Sequence, residues 1–368
     1  MNIPILARDA RIDERQITEG SKLTESPSRI EASQTKLLSV ALAAIIFALG
    51  ALLMSGMAEA AGAGCVGVQI SPGADLAQVA AARPAGTTFC IKDGAYNITS
   101  RIVAQDGDSF VGVYSDSSRP SISTTKADHI IYTSGADNVI IRGLRVSGAV
   151  HSDSCEPGCG RGIGEGGENL TVIDVRATGN ENQGIGGTGR GLLVKNSELD
   201  HNGSIDSAAD GGKVSAAGLK TVSSFSVQNS YIHDNYWSGV WCDVECDSAS
   251  VTGSRVVDNG KAGVHIEISK AGQKNISNNI IKRNGLGNLA WPAGAYPTAR
   301  LGGVLLVGSS RIDVDSNAFG GNMENAVEVA PDTRTGGTVS ELTIHDNTLN
   351  GDTLKGCSVY GVLCSNNH

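Results

Sequence analysis

From Asn138 onward the apolar residues of this chain fall in short alternating runs, apolar then polar, each broken by Gly, Asn, Asp or Ser. A period of two puts every second side chain on one face of an extended chain, so each run predicts a short, half-buried β-strand. The runs are themselves periodic. Eight segments align on one apolar position, at Ile141, Val172, Val194, Val227, Val251, Ile276, Val314 and Ile344. Five residues later a second apolar or small position follows, at Val146, Ala177, Leu199, Ile232, Val256, Ile281, Phe319 and Leu349. Three residues beyond that, Asn recurs at Asn180, Asn202, Asn235, Asn259, Asn284 and Asn322. An amide stacked on the same amide one repeat away bonds both neighbours and the turn backbone, so an Asn column predicts a corner. Asn196, Asn229 and Asn278, with Asn317 or Asn347, predict another.

Where it is shortest the repeat is 22 to 25 residues long, as from Val172 to Val194 and from Val251 to Ile276. Three short strands and three turns use up that many residues, which predicts one coil of a parallel β-helix and leaves too few for a propeller blade. Upstream, short strands are expected at 66–70, within 85–98, and near 109–113, 120–123 and 129–132. Between the first two, residues 71–84 carry a helix start, Leu76, Val79 and Ala80 on one face, and a terminating Pro84. A stack of coils exposes unpaired strand edges at its ends, and this helix is the natural N-terminal cap.

Composition agrees with many short strands and tight turns: 48 Gly, only 5 Phe and 3 Trp, and no long helical pattern. A net charge of -9 with no basic cluster argues against nucleic acid as a partner. Residues 1–36 balance six basic and six acidic side chains without a period and are expected to be disordered. Residues 37–57 are apolar and uncharged, and small residues follow; 37–63 therefore reads as a signal peptide cut near 60–63, or as a retained membrane anchor. That segment is the only expected link to a membrane. The remaining 64–368 forms the β-helix domain, secreted or at the cell surface. All eight cysteines lie there, where disulfides persist, and neighbours in sequence are expected to pair: Cys65 with Cys90, Cys155 with Cys159, Cys242 with Cys246, Cys357 with Cys364.

The candidate chemistry sits where three segments align on a Gly: G-L-K-T (218–221), G-V-W-C-D (239–243) and G-V-H-I-E (263–267). Alternation turns Leu219, Val240 and Val264 to one face and Lys220, Trp241, His265, Asp243 and Glu267 to the other. With coils about 4.8 Å apart, Asp243 and Glu267 are expected to hold their carboxyls within roughly 4 to 6 Å. Two like charges that close raise one pKa or recruit a cation, which makes Ca²⁺ on Asp243 and Glu267 the candidate cofactor. Lys220 or His265 is the candidate base. Trp237, Trp241 and Trp291, with Tyr236 and Tyr296, supply aromatic faces on which sugar rings stack, and His233 lies at another corner beside Asp200 and Lys282. The extra residues at 149–161, 203–217 and 285–302 follow one corner and would wall a groove over this face. Its earlier strands, G-I-G-E (162–165) and G-I-G-G-T (184–188), read as a floor nearly bare of side chains. Outward charges that merely neutralise one another on a solvated surface are the alternative for each of these residues.

Segments such as N-V-I-I-R-G-L-R-V-S-G (138–148) and S-F-S-V-Q-N-S-Y-I-H-D-N (224–235), with G-T-T-F-C-I-K-D-G-A-Y (86–96), resemble right-handed parallel β-helix proteins of the pectin-lyase-like superfamily, of secreted bacterial type. The resemblance covers 64–354. It implies an all-β, right-handed parallel β-helix solenoid and a carbohydrate-active protein whose partner is an extracellular polysaccharide. Lyase or epimerase chemistry at Lys220, Asp243, His265 and Glu267 is the first expectation. A glycoside hydrolase using Asp243 and Glu267, or a non-catalytic glycan-binding adhesin, is the alternative, because this fold hosts all three.

Overall fold

A computed structural model describes residues 64–115, 118–151, 159–204, 216–285, 301–332, 334, 336–359 and 361–368. Among them the chain winds as a parallel β-helix of three sheets. A twelve-stranded sheet runs from Val68–Ile70 to Val362–Ser365, a nine-stranded sheet from Ala95–Asn97 to Ala318–Gly320, and a ten-stranded sheet from Ile102–Val103 to Leu354–Lys355. One coil contributes a strand to each in turn, as Phe225–Gln228, Tyr231–His233 and Ser238–Cys242 do. Residues 1–63, with the expected export segment, lie outside the described residues.

The apolar columns are the register of the sheets. Val172 pairs with Ile141 and Val194, and the same column runs through Val227, Val251, Ile276 and Val314 to Ile344. The second column runs in the nine-stranded sheet from Val146 to Phe319. Both point inward and build one continuous core. Burying them stabilises each coil by roughly 1.5–3 kcal/mol per large side chain.

The Asn column is a hydrogen-bonded ladder. From Asn180 to Asn284 each side-chain amide donates to the carbonyl oxygen of the next, and Asn322 closes the series on Asp352. This ladder explains the recurring Gly as well. A Cβ on Gly239 would lie 2.7 Å from the Gly263 carbonyl oxygen and 2.8 Å from Asn259 Nδ2, and Gly218 is crowded in the same way by Gly239 and Asn235. Gly239→Ala should therefore destabilise the protein by about 1–3 kcal/mol, read as a lowered thermal midpoint; an unchanged midpoint would show that the ladder yields.

At the second corner Asn317 and Asn347 stand in the stacked column as expected, while Asn196, Asn229 and Asn278 precede it by one residue. Its ladder is Ser197, Ser230, Ser254, Asn279, Asn317, Asn347 and Asn367, each bonded to the next. Asn196, Asn229 and Asn278 instead hold the preceding position at φ of 51°, 47° and 57°. Asn is favoured there because it tolerates the left-handed region, a reason separate from stacking.

The helix forms over Leu76–Ala81, N-capped by Asp75, and buries Leu76 and Ala80 against the end of the core. The disulfides Cys65–Cys90, Cys242–Cys246 and Cys357–Cys364 are present. Cys155 lies outside the described residues.

Candidate functional site

The strands Ala217–Thr221, Ser238–Cys242 and Ala262–Glu267 are consecutive in the ten-stranded sheet, with Lys220 opposite Trp241 and Trp241 opposite His265. Because facing residues of parallel strands stack, these three side chains form a column on the outer face. The Lys220 ammonium lies 4.0 Å from the centre of the Trp241 ring, and the His265 ring covers the other indole face at 5.1 Å and 20°. The next residue in the column is Leu305.

Asp243 and Glu267 both belong to this face, but they do not act as a like-charge pair. Lys220 Nζ meets Asp243 Oδ2 at 3.0 Å. Glu267 accepts from Trp241 Nε1 at 2.9 Å on one oxygen and from the Arg334 guanidinium on the other, with His265 Nε2 at 3.9 Å. Each carboxylate thus has its own cation. The cause is the pleat: Lys220 stands one rung below Asp243 and within reach, while Arg334 arrives from the turn after Asn325–Ala330, oriented by a 3.0 Å bond to Asp332. Asp243 sits inside the Cys242–Cys246 loop, and its backbone N–H donates to Thr221 O at 2.9 Å.

The aromatic residues are not open platforms. Trp237 is 4% exposed and Trp241 7%, packed with Ala216, Ala217 and Tyr236. Trp291, Tyr296 and the centres of all three wall segments lie outside the described residues. The glycine floor is also covered. A Cβ on Gly164 would strike the His129 ring at 2.2 Å, and one on Gly186 the Gln183 amide oxygen at 1.7 Å. These glycines make room for side chains of the residue three positions earlier on neighbouring or the same strands. Glu165, at the end of that floor, is buried with Oε2 lacking a hydrogen-bond partner among the described residues, and burial pushes its carboxyl up to about 8.

His233 is elsewhere, in the nine-stranded sheet. Asp200 is its neighbour below, as expected, but Val257 lies above it, with Lys282 one coil further on. Its ring is held between Asp234 at 2.6 Å and Glu198 at 3.3 Å, and Asp200 is taken by both Arg176 nitrogens. Glu198, Asp200 and His233 are close enough to share an ion, yet this arrangement is satisfied internally.

Two site residues escape the sequence pattern. Lys261 precedes Ala262–Glu267, and its ammonium lies 4.6 Å from the Trp237 ring centre and 5.5 Å from that of Trp241. Extending the Gly-aligned repeat two residues upstream sets Ala216, Trp237 and Lys261 in one column, which is the signal for it. Arg334 carries no such signal, standing 67 residues from Glu267 in a turn without a repeat.

A family described as right handed beta helix region matches residues 129–319. No curated protein matches the sequence. Among solved structures, the chain is similar to the A-module of the mannuronan C-5 epimerase AlgE6 of Azotobacter vinelandii at 16% identity and a TM-score of 0.51, covering 78% of this chain and 83% of that one. It is similar to the periplasmic alginate epimerase AlgG at 14% identity and a TM-score of 0.51, covering 81% and 82%. It also resembles PfbA, a surface adhesin of Streptococcus pneumoniae, at 13% identity and a TM-score of 0.54, covering 82% and 81%. At these identities the likeness is one of fold.

Proposed function

This chain belongs to the right-handed β-helix family, and on that premise we propose that it is an extracytoplasmic protein that binds a polysaccharide over the Lys220–Trp241–His265 column and acts on it by lyase or epimerase chemistry. The observation that carries the reading is the pairing of each carboxylate with a separate cation on one outer face. Lys220 and Arg334 pair with Asp243 and Glu267, and the same cations would neutralise the carboxylate of a uronate when it displaces those contacts. Neutralising that carboxylate acidifies the neighbouring C–H, the first requirement of elimination or epimerisation. The disulfides support an oxidising compartment. The names of the fold neighbours, two epimerases and an adhesin, are compatible with the enzymatic reading and with its binding-only rival.

Ca²⁺ suits this donor set poorly. Both carboxylates already face ammonium or guanidinium groups, and Lys261 adds a further positive charge. We propose that the protein's own cations do the work assigned to Ca²⁺ from the sequence, so chelator should leave activity unchanged.

The test is incubation of the purified protein with uronate-containing and neutral glycans, with and without chelator. Ultraviolet absorbance of an unsaturated uronate marks elimination, altered sugar configuration by NMR marks epimerisation, and reducing ends without either mark hydrolysis. Glu267→Gln should lower turnover at least about tenfold, because it removes the charge that Arg334 and Trp241 hold. Retention on the glycan column with no turnover by the unaltered protein would leave the adhesin-like reading.

A further inference from the structure

Of the basic side chains at this site, Lys220 and Arg334 are each tied to a carboxylate. Lys261 differs. Among the described residues its side chain makes no hydrogen bond and no ion pair; its ammonium stands over the two indole faces. Its backbone fixes it there, because the Lys261 N–H donates to Trp237 O at 2.6 Å and its carbonyl accepts from Gly302 N–H at 3.1 Å. The amine is therefore held in place by π faces, which accept no proton and offer no acceptor lone pair, and it stands within the field of Lys220, Asp243, Glu267 and Arg334. We propose that Lys261 is the amine that takes up and returns a proton at this site, while Lys220 remains a fixed cation.

The physical grounds are three. An ammonium without a carboxylate partner loses no ion pair when it gives up its proton, whereas Lys220 would abandon Asp243. Burial disfavours the charged form, and so do Lys220 and Arg334, while Glu267 and Asp243 favour it; burial is the largest of these, and the amine is brought down to about 8. At neutral pH roughly a tenth of such an amine is neutral, against roughly one part in a few thousand for an ordinary lysine. In the uronate reading, on which this role rests, the C–H bond next to the neutralised carboxylate breaks, the proton forms an N–H bond on Lys261, and the electron pair stays on carbon as an enolate-like anion. For the epimer, water on the other face delivers a proton to that carbon and Lys261 then releases its own to solvent; for the unsaturated product, the glycosidic C–O bond breaks, the carbon electron pair becomes the C=C bond, and the departing oxygen takes its proton from the Lys261 ammonium.

The amine can be tested without any substrate. The intact protein is acetylated with an N-hydroxysuccinimide ester over a pH series, under conditions of low modification, and each lysine is read by peptide mass spectrometry. Lys261 should reach half of its limiting rate near pH 8, with the exposed Lys126 read in the same digest as the reference. Lys220→Gln, which removes a like charge, should move the Lys261 midpoint up, and Glu267→Gln should move it down. A Lys261 profile that follows Lys126, or no acetylation of Lys261 at any pH, overturns the proposal. With a glycan that the protein turns over, Lys261→Arg keeps a cation on the indoles but cannot release its proton. Its kcat should fall about a hundredfold with KM changed by less than about threefold. Equal kcat in Lys261→Arg and the unaltered protein would reassign the proton to another group. If no glycan is turned over at all, the function proposed above fails, and the acetylation profile still decides the state of Lys261.

Discussion

Replacing Asn235 by Ala is expected to lower the stability of its coil by about 4 kcal/mol. Asn235 is buried, and its Oδ1 accepts from the backbone N–H of Asn202 at 3.2 Å and from Asn202 Nδ2 at 3.0 Å. Its Nδ2 donates to Leu199 O and to Asn259 Oδ1, each at 2.9 Å. The alanine removes all four bonds and leaves their partners buried and unsatisfied, at about 1 kcal/mol apiece. Stability in a solenoid is close to a sum over neighbouring coils, so the loss should appear locally. Hydrogen exchange of the Asn202 amide, and of amides in Tyr231–His233, should accelerate by about a thousandfold where it occurs through opening of this corner. Protection within threefold of the unaltered protein would mean that the ladder is ornament on a core already sufficient.

Glu165→Gln is expected to stabilise the protein, by roughly 3 kcal/mol at neutral pH. Burial raises the Glu165 carboxyl from an ordinary 4.5 to about 8, against the opposing field of Arg161 and a 3.5 Å hydrogen bond from Thr221. The folded chain therefore keeps a proton that the unfolded chain has already released. Stability from this group is complete below about 4.5, declines as pH rises through that interval, and is gone above about 8. Gln imitates the neutral acid at every pH, so its advantage should vanish near pH 4 and be largest in the alkaline range. Oε2 has no partner among the described residues, so the amide N–H groups that replace it are also unpaired, a cost that does not vary with pH and leaves the difference between the two profiles intact. Denaturant midpoints over a pH series provide the check, and parallel profiles for the two proteins would refute the assignment.

Much of this architecture was legible before any coordinate. The columns headed by Ile141 and Val146 are the observed register, because an inward position repeated every coil can only be satisfied by stacking like on like. The first Asn column was legible for the same reason. The second was legible at Asn317 and Asn347 but one residue early at Asn196, Asn229 and Asn278, since Asn serves two purposes at adjacent positions: Asn278 for its left-handed backbone and Asn279 for its amide. The strand face shared by Lys220, Trp241 and His265 followed from alternation. What the outward charges do with one another did not. Asp243 and Glu267 occupy one column, but long basic side chains reach them from different directions, and a two-residue period carries no information about where a flexible terminus ends.

The sequence by itself determined the repeat, the inward faces, the first Asn corner and the outer patch, because each is a property of spacing along an extended chain. Only the tertiary structure decided that Arg334 closes on Glu267, that Lys261 stands over two indoles, that His129 and Gln183 fill the glycine floor, and that Glu165 is buried. Those are contacts between side chains that depart from the strand direction, and their energies depend on burial and on the third neighbour, which no linear pattern records.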